Sequence, residues 1–206
     1  MRALLGLLLL IAPLAGAAGP ARADERVIVA FGDSLTAGLG VPVDRTYPAL
    51  LGERLRREGY PYRVVNAGVS GDTTAGGLRR VDWALRLRPE IVILELGVND
   101  ALRGQSLAAV RANLDRLVTR FQAGGARVLV AGMRLPPNYG SPYAEDFHRL
   151  FGEVARARGA PHMPFFLDGV GAVPHLNQPD GIHPTAEGYA IVVERLWPYL
   201  VPLLRK

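Results

Sequence analysis

A serine lies at the point where an apolar run of this sequence turns polar. Residues 27–31 (Val-Ile-Val-Ala-Phe) are all apolar, and Gly32, Asp33 and Ser34 follow them directly. An unbroken apolar run of this length is typical of a strand that is covered on both faces of a parallel sheet. Because ligands bind beyond the carboxyl ends of such strands, Ser34 is placed where it could act as a nucleophile. The alternative is that Asp33 or Ser34 only caps the next helix.

A histidine follows an aspartate by three residues near the end of the chain, in Asp180-Gly181-Ile182-His183. A turn of four residues can fold the carboxylate back onto the imidazole. The other ring nitrogen is then free to take a proton from Ser34 as a general base. The alternative is that His183 only caps the helix that begins near Pro184.

Two further apolar runs end in small and polar residues that can donate hydrogen bonds. Residues 62–66 lead into the loop 67–74, which contains Gly71, and residues 91–96 lead into Gly97-Val98-Asn99-Asp100. A glycine-rich loop lets backbone N–H groups approach a ligand closely, and the Asn99 amide is a second donor. Together with a nucleophile, a base and a partner for the base, such donors are the parts of acyl transfer.

The other histidines and acids near these motifs are interpreted as structural. One of the remaining histidines falls within a predicted helix and the other two adjoin prolines. The remaining acids are expected to form hydrogen bonds at helix starts and in loops. These residues are His148, His162 and His175, and Asp33, Asp72 and Asp100.

The elements that position these residues alternate between strand and helix along the chain. Strands are predicted at 27–31, 62–66, 91–96, 127–131 and 163–166, and helices at 47–58, 78–87, 107–122, 142–158 and from about 185 to 196. This alternation predicts an α/β fold, a flavodoxin-like three-layer α/β/α sandwich with a central parallel sheet of about five strands.

Composition narrows the class of protein. A chain of 206 residues with 49% hydrophobic content is expected to form one domain around one core. It contains no cysteine, which excludes disulfides, thiolate metal sites, a cysteine nucleophile and a lipid-modified N-terminal cysteine. The net charge of +5 falls to +3 without residues 1–23, which leaves 22 basic against 19 acidic residues. This charge is mild and the basic residues are scattered along the helices with acids between them, so no nucleic-acid partner is expected.

The first 23 residues have the pattern of a secretory signal peptide. Arg2 precedes the apolar block 3–14, and small residues end in Ala21-Arg22-Ala23. The block is shorter than the roughly 20 residues of a membrane-spanning helix and is interrupted by Pro13, which argues against a stable membrane anchor. We therefore expect cleavage after Ala23, a mature domain over 24–206 with 22 basic and 19 acidic residues, and a periplasmic or secreted bacterial protein.

Four blocks of the mature chain, in order, resemble those of the SGNH (GDSL) hydrolase family. They are Gly32-Asp33-Ser34-Leu35, Gly71, Asn99 within Gly-x-Asn-Asp, and Asp180-x-x-His183. More narrowly, residues 94–104, the loop 134–140 and residues 180–184 are similar to the bacterial periplasmic multifunctional esterase branch. Members of that branch act as acyl-CoA thioesterase, lysophospholipase, arylesterase and protease-like esterase.

The resemblance implies a set of roles. Ser34 would be the nucleophile, His183 the base and Asp180 its partner. The oxyanion hole would consist of the Ser34 amide, the Gly71 amide and the Asn99 side chain. The reaction would need no cofactor and no metal, its substrates would be small acyl esters or thioesters, and a monomer is expected. Val98 departs from the family, whose members often have a second glycine there, and the Gly-x-Ser-x-Gly elbow of ordinary α/β-hydrolases is absent.

Two rival functions remain open at this point. A flavodoxin-like binding module could hold a phosphate or flavin in the loop after Ser34, but it would have no need of Asp180 and His183. A carbohydrate acetylesterase would share the chemistry but would favour a shallow, polar site. Apolar residues in the loops beside the expected site argue against a carbohydrate acetylesterase. These are the predicted substrate-binding residues: Leu102, Leu135, Pro136, Pro137 and Tyr139. The alternative is that they only pack locally.

Overall fold

The five strands form one parallel sheet in the order β2-β1-β3-β4-β5. In this computed structural model, which describes residues 26–135 and 139–206, the strands are β1 (Arg26–Gly32), β2 (Tyr62–Gly68), β3 (Ile91–Glu95), β4 (Arg127–Ala131) and β5 (His162–Met163). This order is that of a flavodoxin-like sheet, whose strand order reverses between β1 and β3. The predicted fold class is therefore confirmed.

Seven α-helices cover both faces of the sheet in the described residues. They are α1 (Ser34–Ala37), α2 (Tyr47–Arg57), α3 (Thr74–Leu85), α4 (Val98–Leu102), α5 (Leu107–Ala123), α6 (Ser141–Ala157) and α7 (Ala186–Leu200). Helices α2 and α7 pack together on one face, and α3, α5 and α6 pack on the other. The central strands are consequently buried on both sides, and the side chains of Ile28, Phe31, Ile91 and Leu94 are fully inaccessible.

Helix α3 begins four residues before its predicted start at 78. Thr73 caps it, since the Thr73 hydroxyl accepts a hydrogen bond from the main-chain N–H of Gly76 at 3.1 Å. Two glycines in the first turns, which have low helix propensity, concealed this start. The structure requires Gly77 for packing, because a Cβ there would lie 2.7 Å from Leu96 Cδ1 and 3.2 Å from Phe31 Cε1.

Three further details of the secondary structure differ from the sequence prediction. Strand β5 covers only His162–Met163, because pairing with β4 involves just these two residues. Helices α1 and α4, of four and five residues, are not among the helices predicted from the sequence. Elements this short do not show a helical period of apolar residues, so the sequence pattern does not reveal them.

Candidate active site

Ser34 lies at the first position of α1, immediately beyond the carboxyl end of β1. Asp33 is the residue that caps this helix, because its Oδ1 accepts a hydrogen bond from the main-chain N–H of Leu35 at 3.0 Å. The Ser34 hydroxyl is thus not needed as a cap and is available for another partner. The location between β1 and β3, where the strand order reverses, is where ligands bind in open parallel sheets.

The hydroxyl partner of Ser34 is His183. Nε2 of His183 lies 2.8 Å from Ser34 Oγ, although the two residues are 149 positions apart in the sequence. His183 does not cap α7, since the Thr185 hydroxyl accepts a hydrogen bond from the main-chain N–H of Gly188 at 3.2 Å. The imidazole is therefore free to exchange a proton with the serine.

Asp180 contacts the opposite nitrogen of the same imidazole. Its Oδ2 is 2.7 Å from Nδ1 of His183, and its Oδ1 accepts the main-chain N–H groups of Ile182 and His183 at 2.9 and 3.0 Å. These bonds lower the pKa of Asp180 to about 2, and the hydrogen bond from the main-chain N–H of His183 has the largest effect. The carboxylate stays charged and orients the ring so that Nε2 faces Ser34.

Gln178 ties the Asp180–His183 turn to the loop that follows α1. Its side-chain amide donates to the carbonyl of Leu39 at 2.7 Å and to that of Pro184 at 3.0 Å, and its main-chain N–H donates to the His183 carbonyl at 2.7 Å. The sequence analysis did not single out Gln178, because a glutamine in an aperiodic segment shows no signal of its own.

Gly71 and Asn99 follow the two strands that flank β1. The Asn99 amide Nδ2 donates to Oδ2 of Asp33 at 3.0 Å, which brings the segment after β3 against the turn that carries Ser34. On the other side, the Arg103 guanidinium donates to the Gly71 carbonyl at 2.9 Å. The structure thus brings the predicted donors to the same edge of the sheet as Ser34.

The three acids interpreted as structural all accept hydrogen bonds. Asp33 caps α1, and Asp100 accepts the Thr74 hydroxyl at 2.6 Å. Asp72 pairs with Arg80 at 2.7 Å, and the same guanidinium donates to the carbonyls at the ends of β1 and β2. Asp33 has an additional function that its sequence position does not suggest, because it also holds the Asn99 amide.

The apolar residues predicted to bind substrate differ in exposure. Leu135 is only 8% exposed and belongs to the core, which favours the alternative that this residue only packs locally. Leu102 is half-buried against that core. Tyr139 is 37% exposed and is free to contact a ligand. Pro136 and Pro137 lie outside the described residues.

Three apolar side chains that the sequence analysis missed are exposed beside the site: Leu39, Val69 and Ile182, at 46, 47 and 46%. The main-chain N–H of Leu39 donates to the carbonyl of Ser34, that of Val69 donates to the carbonyl of Gly32, and Ile182 directly precedes His183. We call these three residues the apolar rim. The available signal was an apolar residue directly flanked by glycine and by a glycine or polar residue in each of three loops.

Glu95 was also missed. It is the last residue of β3, is fully buried, and its Oε2 accepts the Thr36 hydroxyl at 2.8 Å. Burial raises the pKa of this carboxyl well above its usual range. An acid at the end of an otherwise apolar strand was the signal that could have drawn attention to it.

The arrangement can carry out nucleophilic chemistry at a carbonyl group. It contains a hydroxyl, an imidazole in contact with it, a carboxylate on the other ring nitrogen, and hydrogen-bond donors nearby. Within residues 26–135 and 139–206, no group of three or more histidine and acidic side chains is suited to hold a metal ion. A loop that only binds phosphate would not need the contact between Ser34 and His183.

Comparison with known proteins matches most of the chain to one family. The model of the GDSL-like Lipase/Acylhydrolase family matches residues 30–191. The chain is 46% identical to Esterase TesA of Pseudomonas aeruginosa over 184 residues, which cover 89% of this chain and 92% of that protein.

Two other comparisons agree with this match. Thioesterase 1/protease 1/lysophospholipase L1 of Escherichia coli K12 is 35% identical over 185 residues, covering 89% of this chain and 86% of that protein. A crystal structure of TesA superposes with a TM-score of 0.85 at 46% identity, covering 87% of this chain and all of that one.

Proposed function

The chain belongs to the GDSL-like lipase/acylhydrolase family and is a serine hydrolase of its esterase and thioesterase group, and on that premise we propose that Ser34, His183 and Asp180 are its catalytic triad. The observation that carries the proposal is the position of His183, whose Nε2 lies 2.8 Å from Ser34 Oγ while Nδ1 lies 2.7 Å from Asp180. This is the geometry of a nucleophile, a general base and an orienting carboxylate.

In the first half of the reaction, Ser34 Oγ attacks the carbonyl carbon of the substrate while His183 Nε2 accepts the hydroxyl proton. The carbonyl π electrons move to the oxygen, and a tetrahedral intermediate forms. When that intermediate collapses, the bond to the leaving alcohol or thiol breaks and His183 returns the proton to it. The product is an acyl ester on Ser34, and the charged Asp180 stabilises the imidazolium during both transfers.

In the second half, water takes the place of the leaving group. His183 accepts a proton from the water as its oxygen attacks the acyl carbon, and the proton passes to Ser34 Oγ when the acyl–enzyme bond breaks. A carboxylic acid leaves and the free serine is restored. Dividing the hydrolysis into two displacements lowers the barrier of each one.

The oxyanion of both intermediates would be bound by the main-chain N–H groups of Ser34 and Gly71 and by the Asn99 amide. All three follow the carboxyl ends of adjacent strands, β1, β2 and β3. The Asn99 amide has two hydrogens, and one of them is directed at Asp33. The second remains available for the developing negative charge, and such fixed donors strengthen as the charge appears.

The proposed substrates are small acyl esters and thioesters, including arylesters, acyl-CoA and lysophospholipids, with preference for medium or long acyl chains. The names of the relatives, an esterase and a thioesterase/lysophospholipase, support these substrate classes. The apolar rim supports the chain length, since apolar surface beside Ser34 can contact the methylenes of an acyl chain. A monomer that needs no cofactor or metal remains our expectation.

Export of the chain also remains a proposal. The proposed signal peptide, residues 1–23, lies outside the described residues, and the mature domain would begin at Asp24. Among the helices of the described ranges, none is long and apolar enough to cross a bilayer. Sequencing the N-terminus of the protein recovered from a bacterial periplasm would test cleavage after Ala23.

The decisive test of the triad is covalent labelling of the mature protein together with a substrate panel. An organophosphonate should place its adduct on Ser34, as located by mass spectrometry, and Ser34→Ala should lose nearly all turnover of p-nitrophenyl esters, acyl-CoAs and lysophospholipids while keeping its melting temperature. An adduct on another residue would overturn the assignment. Faster turnover of acetyl sugars than of octanoyl esters would instead support a carbohydrate acetylesterase.

A further inference from the structure

We propose that Glu95 is a positioning residue of this reaction: a buried carboxyl that keeps its proton, holds the turn bearing Ser34 from beneath and, through Asp33, sets the direction of the Asn99 amide. The proposal rests on the proposed role of Asn99 as an oxyanion donor. Neither Glu95 nor Asp33 would touch the substrate, so both would act through the residues that they hold.

The position of Glu95 allows it to hold this turn. In the parallel pairing of β1 and β3, Glu95 is the register partner of Gly32. Its Oε2 accepts the Thr36 hydroxyl at 2.8 Å and faces the main-chain N–H of Asp33 at 3.4 Å. A Cβ on Gly32 would lie 2.0 Å from Thr36 Oγ1 and 2.6 Å from Glu95 Oε2, so only glycine permits this approach. Glu95 therefore contacts the residues on both sides of Ser34.

Asp33 connects that turn to Asn99. Its side chain is fully buried, with Oδ1 accepting the Leu35 N–H at 3.0 Å and Oδ2 accepting Asn99 Nδ2 at 3.0 Å. An amide group can rotate by half a turn and present its oxygen in place of its nitrogen. A charged acceptor on one side selects the nitrogen, which leaves the second amide hydrogen in a defined direction. Asp33 thus determines which end of the Asn99 side chain is a donor.

The carboxyl groups of Asp33 and Glu95 are both fully buried and interact, so a charge on one of them disfavours a charge on the other. Burial, and next the charge of Asp33, raise the pKa of Glu95 well above its usual range, and its Oε1 has no hydrogen-bond partner in the described structure. Burial also raises the pKa of Asp33, to about 6, but the Leu35 N–H, the Glu95 side chain and the charge of His183 oppose that rise. The single negative charge of the pair therefore resides on Asp33, where Asn99 uses it.

The experiment compares Glu95→Gln, Glu95→Ala and Asn99→Ala, with the double variant Glu95→Ala/Asn99→Ala. Glutamine is neutral, has the same shape, and keeps a carbonyl acceptor for Thr36, so its kcat should stay within about threefold of the parent. Glu95→Ala should lower kcat by roughly tenfold or more with KM little changed, since misplaced donors act on the transition state. In the Asn99→Ala background, the same substitution should lower kcat by a smaller factor, because the part of its effect that passes through Asp33 to Asn99 is already lost.

Glu90→Gln is the matched control, because Glu90 precedes β3 at the opposite edge of the sheet and contacts Tyr62, Arg26 and Arg127. It should alter the melting temperature without altering kcat. If Glu95→Ala does not fold, an infrared difference spectrum between the parent and Glu95→Gln at neutral pH still tests the inference, because it should show the band of a protonated carboxyl.

Three results would overturn the inference: Glu95→Gln as inactive as Glu95→Ala, a full additional loss in the Asn99→Ala background, or a difference spectrum of an ionised carboxylate. Different results would show that the proposed function itself is wrong. These are an unchanged kcat in Asn99→Ala alone, or a phosphonate adduct on a residue other than Ser34.

Discussion

Asp100 accepts two hydrogen bonds from Thr74, one from its main-chain N–H at 2.8 Å and one from its hydroxyl at 2.6 Å. This contact joins α4, which carries Asn99, to the start of α3, directly after the loop with Gly71. The buried Asp100 carboxylate therefore helps to fix the separation of two proposed oxyanion donors, together with the bond from Arg103 to the Gly71 carbonyl. Asn113 supports this arrangement by donating to the Thr74 hydroxyl at 3.1 Å.

The Thr74 hydroxyl can be removed without changing the shape of the side chain. Thr74→Val leaves Asp100 Oδ1 without its hydroxyl donor in a buried site, which should lower the free energy of unfolding by about 1–3 kcal/mol. The activity should fall as well, because one of the two hydrogen bonds that join the segments of Gly71 and Asn99 is lost. Urea unfolding and kcat measure the two effects, with Thr74→Ser as the control that keeps the hydroxyl. Equal stability of the two variants would contradict this account.

Asn99→Ala tests the oxyanion donor directly. We expect kcat to fall by roughly a hundredfold or more with little change in KM, because the interaction is made chiefly in the transition state. Asn99→Asp should be at least as damaging, since it places a negative charge beside both the oxyanion and Asp33. The melting temperature is measured on the same variants. A lower melting temperature with unchanged kcat per folded molecule would mean that Asn99 only braces the end of β3.

Asp180→Asn tests the orientation of the base. The asparagine oxygen can still accept the Ile182 and His183 N–H groups, so the turn should fold. Its NH₂ group, however, faces Nδ1 of His183 and favours the wrong tautomer, so kcat should fall by roughly a thousandfold or more. Because the pKa of Asp180 is about 2, no loss of activity above pH 4 should be due to its protonation. An Asp180→Asn variant with nearly full activity would exclude the triad.

Stability should decrease as the pH rises from about 4 to 6. The pKa of Asp33 is 3.8 in an unfolded chain and about 6 in the folded protein, where burial raises it. The folded state therefore binds more protons across this window, and the free energy of unfolding should drop by at most about 3 kcal/mol. Glu95, with its pKa raised in the same direction, should extend the decline to higher pH.

Urea unfolding at several pH values measures this decline. Asp33→Asn removes one of the two buried carboxyls and should flatten it, whereas Asp44→Asn, at an exposed position, should not. Asp180 acts in the opposite direction at lower pH, because its lowered pKa adds stability that is lost as the pH falls from about 4 to 2. Stability that rises steadily from pH 4 to 7 would show that the Asp33–Glu95 pair is not protonated as inferred.

The apolar rim should determine acyl-chain preference. Ile182→Ser or Leu39→Ser should lower kcat/KM for octanoyl esters by about tenfold relative to acetyl esters, because each methylene that loses apolar contact forfeits up to about 0.8 kcal/mol. Trp83→Ser is the control, since Trp83 is also an exposed apolar residue (43%) but lies near the far end of α3. An unchanged ratio in both rim variants would move the acyl site towards Tyr139.

The sequence by itself determined the layers of the fold and the order of the chemical groups along it. The apolar runs at 27–31 and 91–94 are typical of strands buried on both faces, and the helical periods between them predict a parallel sheet. Polar residues directly after three such strands must then meet at one edge. The spacing of Asp180 and His183 is local, so their contact also follows from the sequence.

Only the tertiary structure decided which of these groups touch one another. Ser34 and His183 are 149 residues apart, Asp33 and Asn99 are 66 apart, and Asp33 and Glu95 are 62 apart. Local periodicity has no information at such separations, because the contacts depend on strand order and on the register between β1 and β3. That register places Glu95 against Gly32, where the buried carboxyl contacts the turn that carries Ser34. The packing of the chain likewise places Leu135 in the core and leaves Ile182 exposed. An apolar residue in a loop can take either environment, so its sequence position does not decide between them.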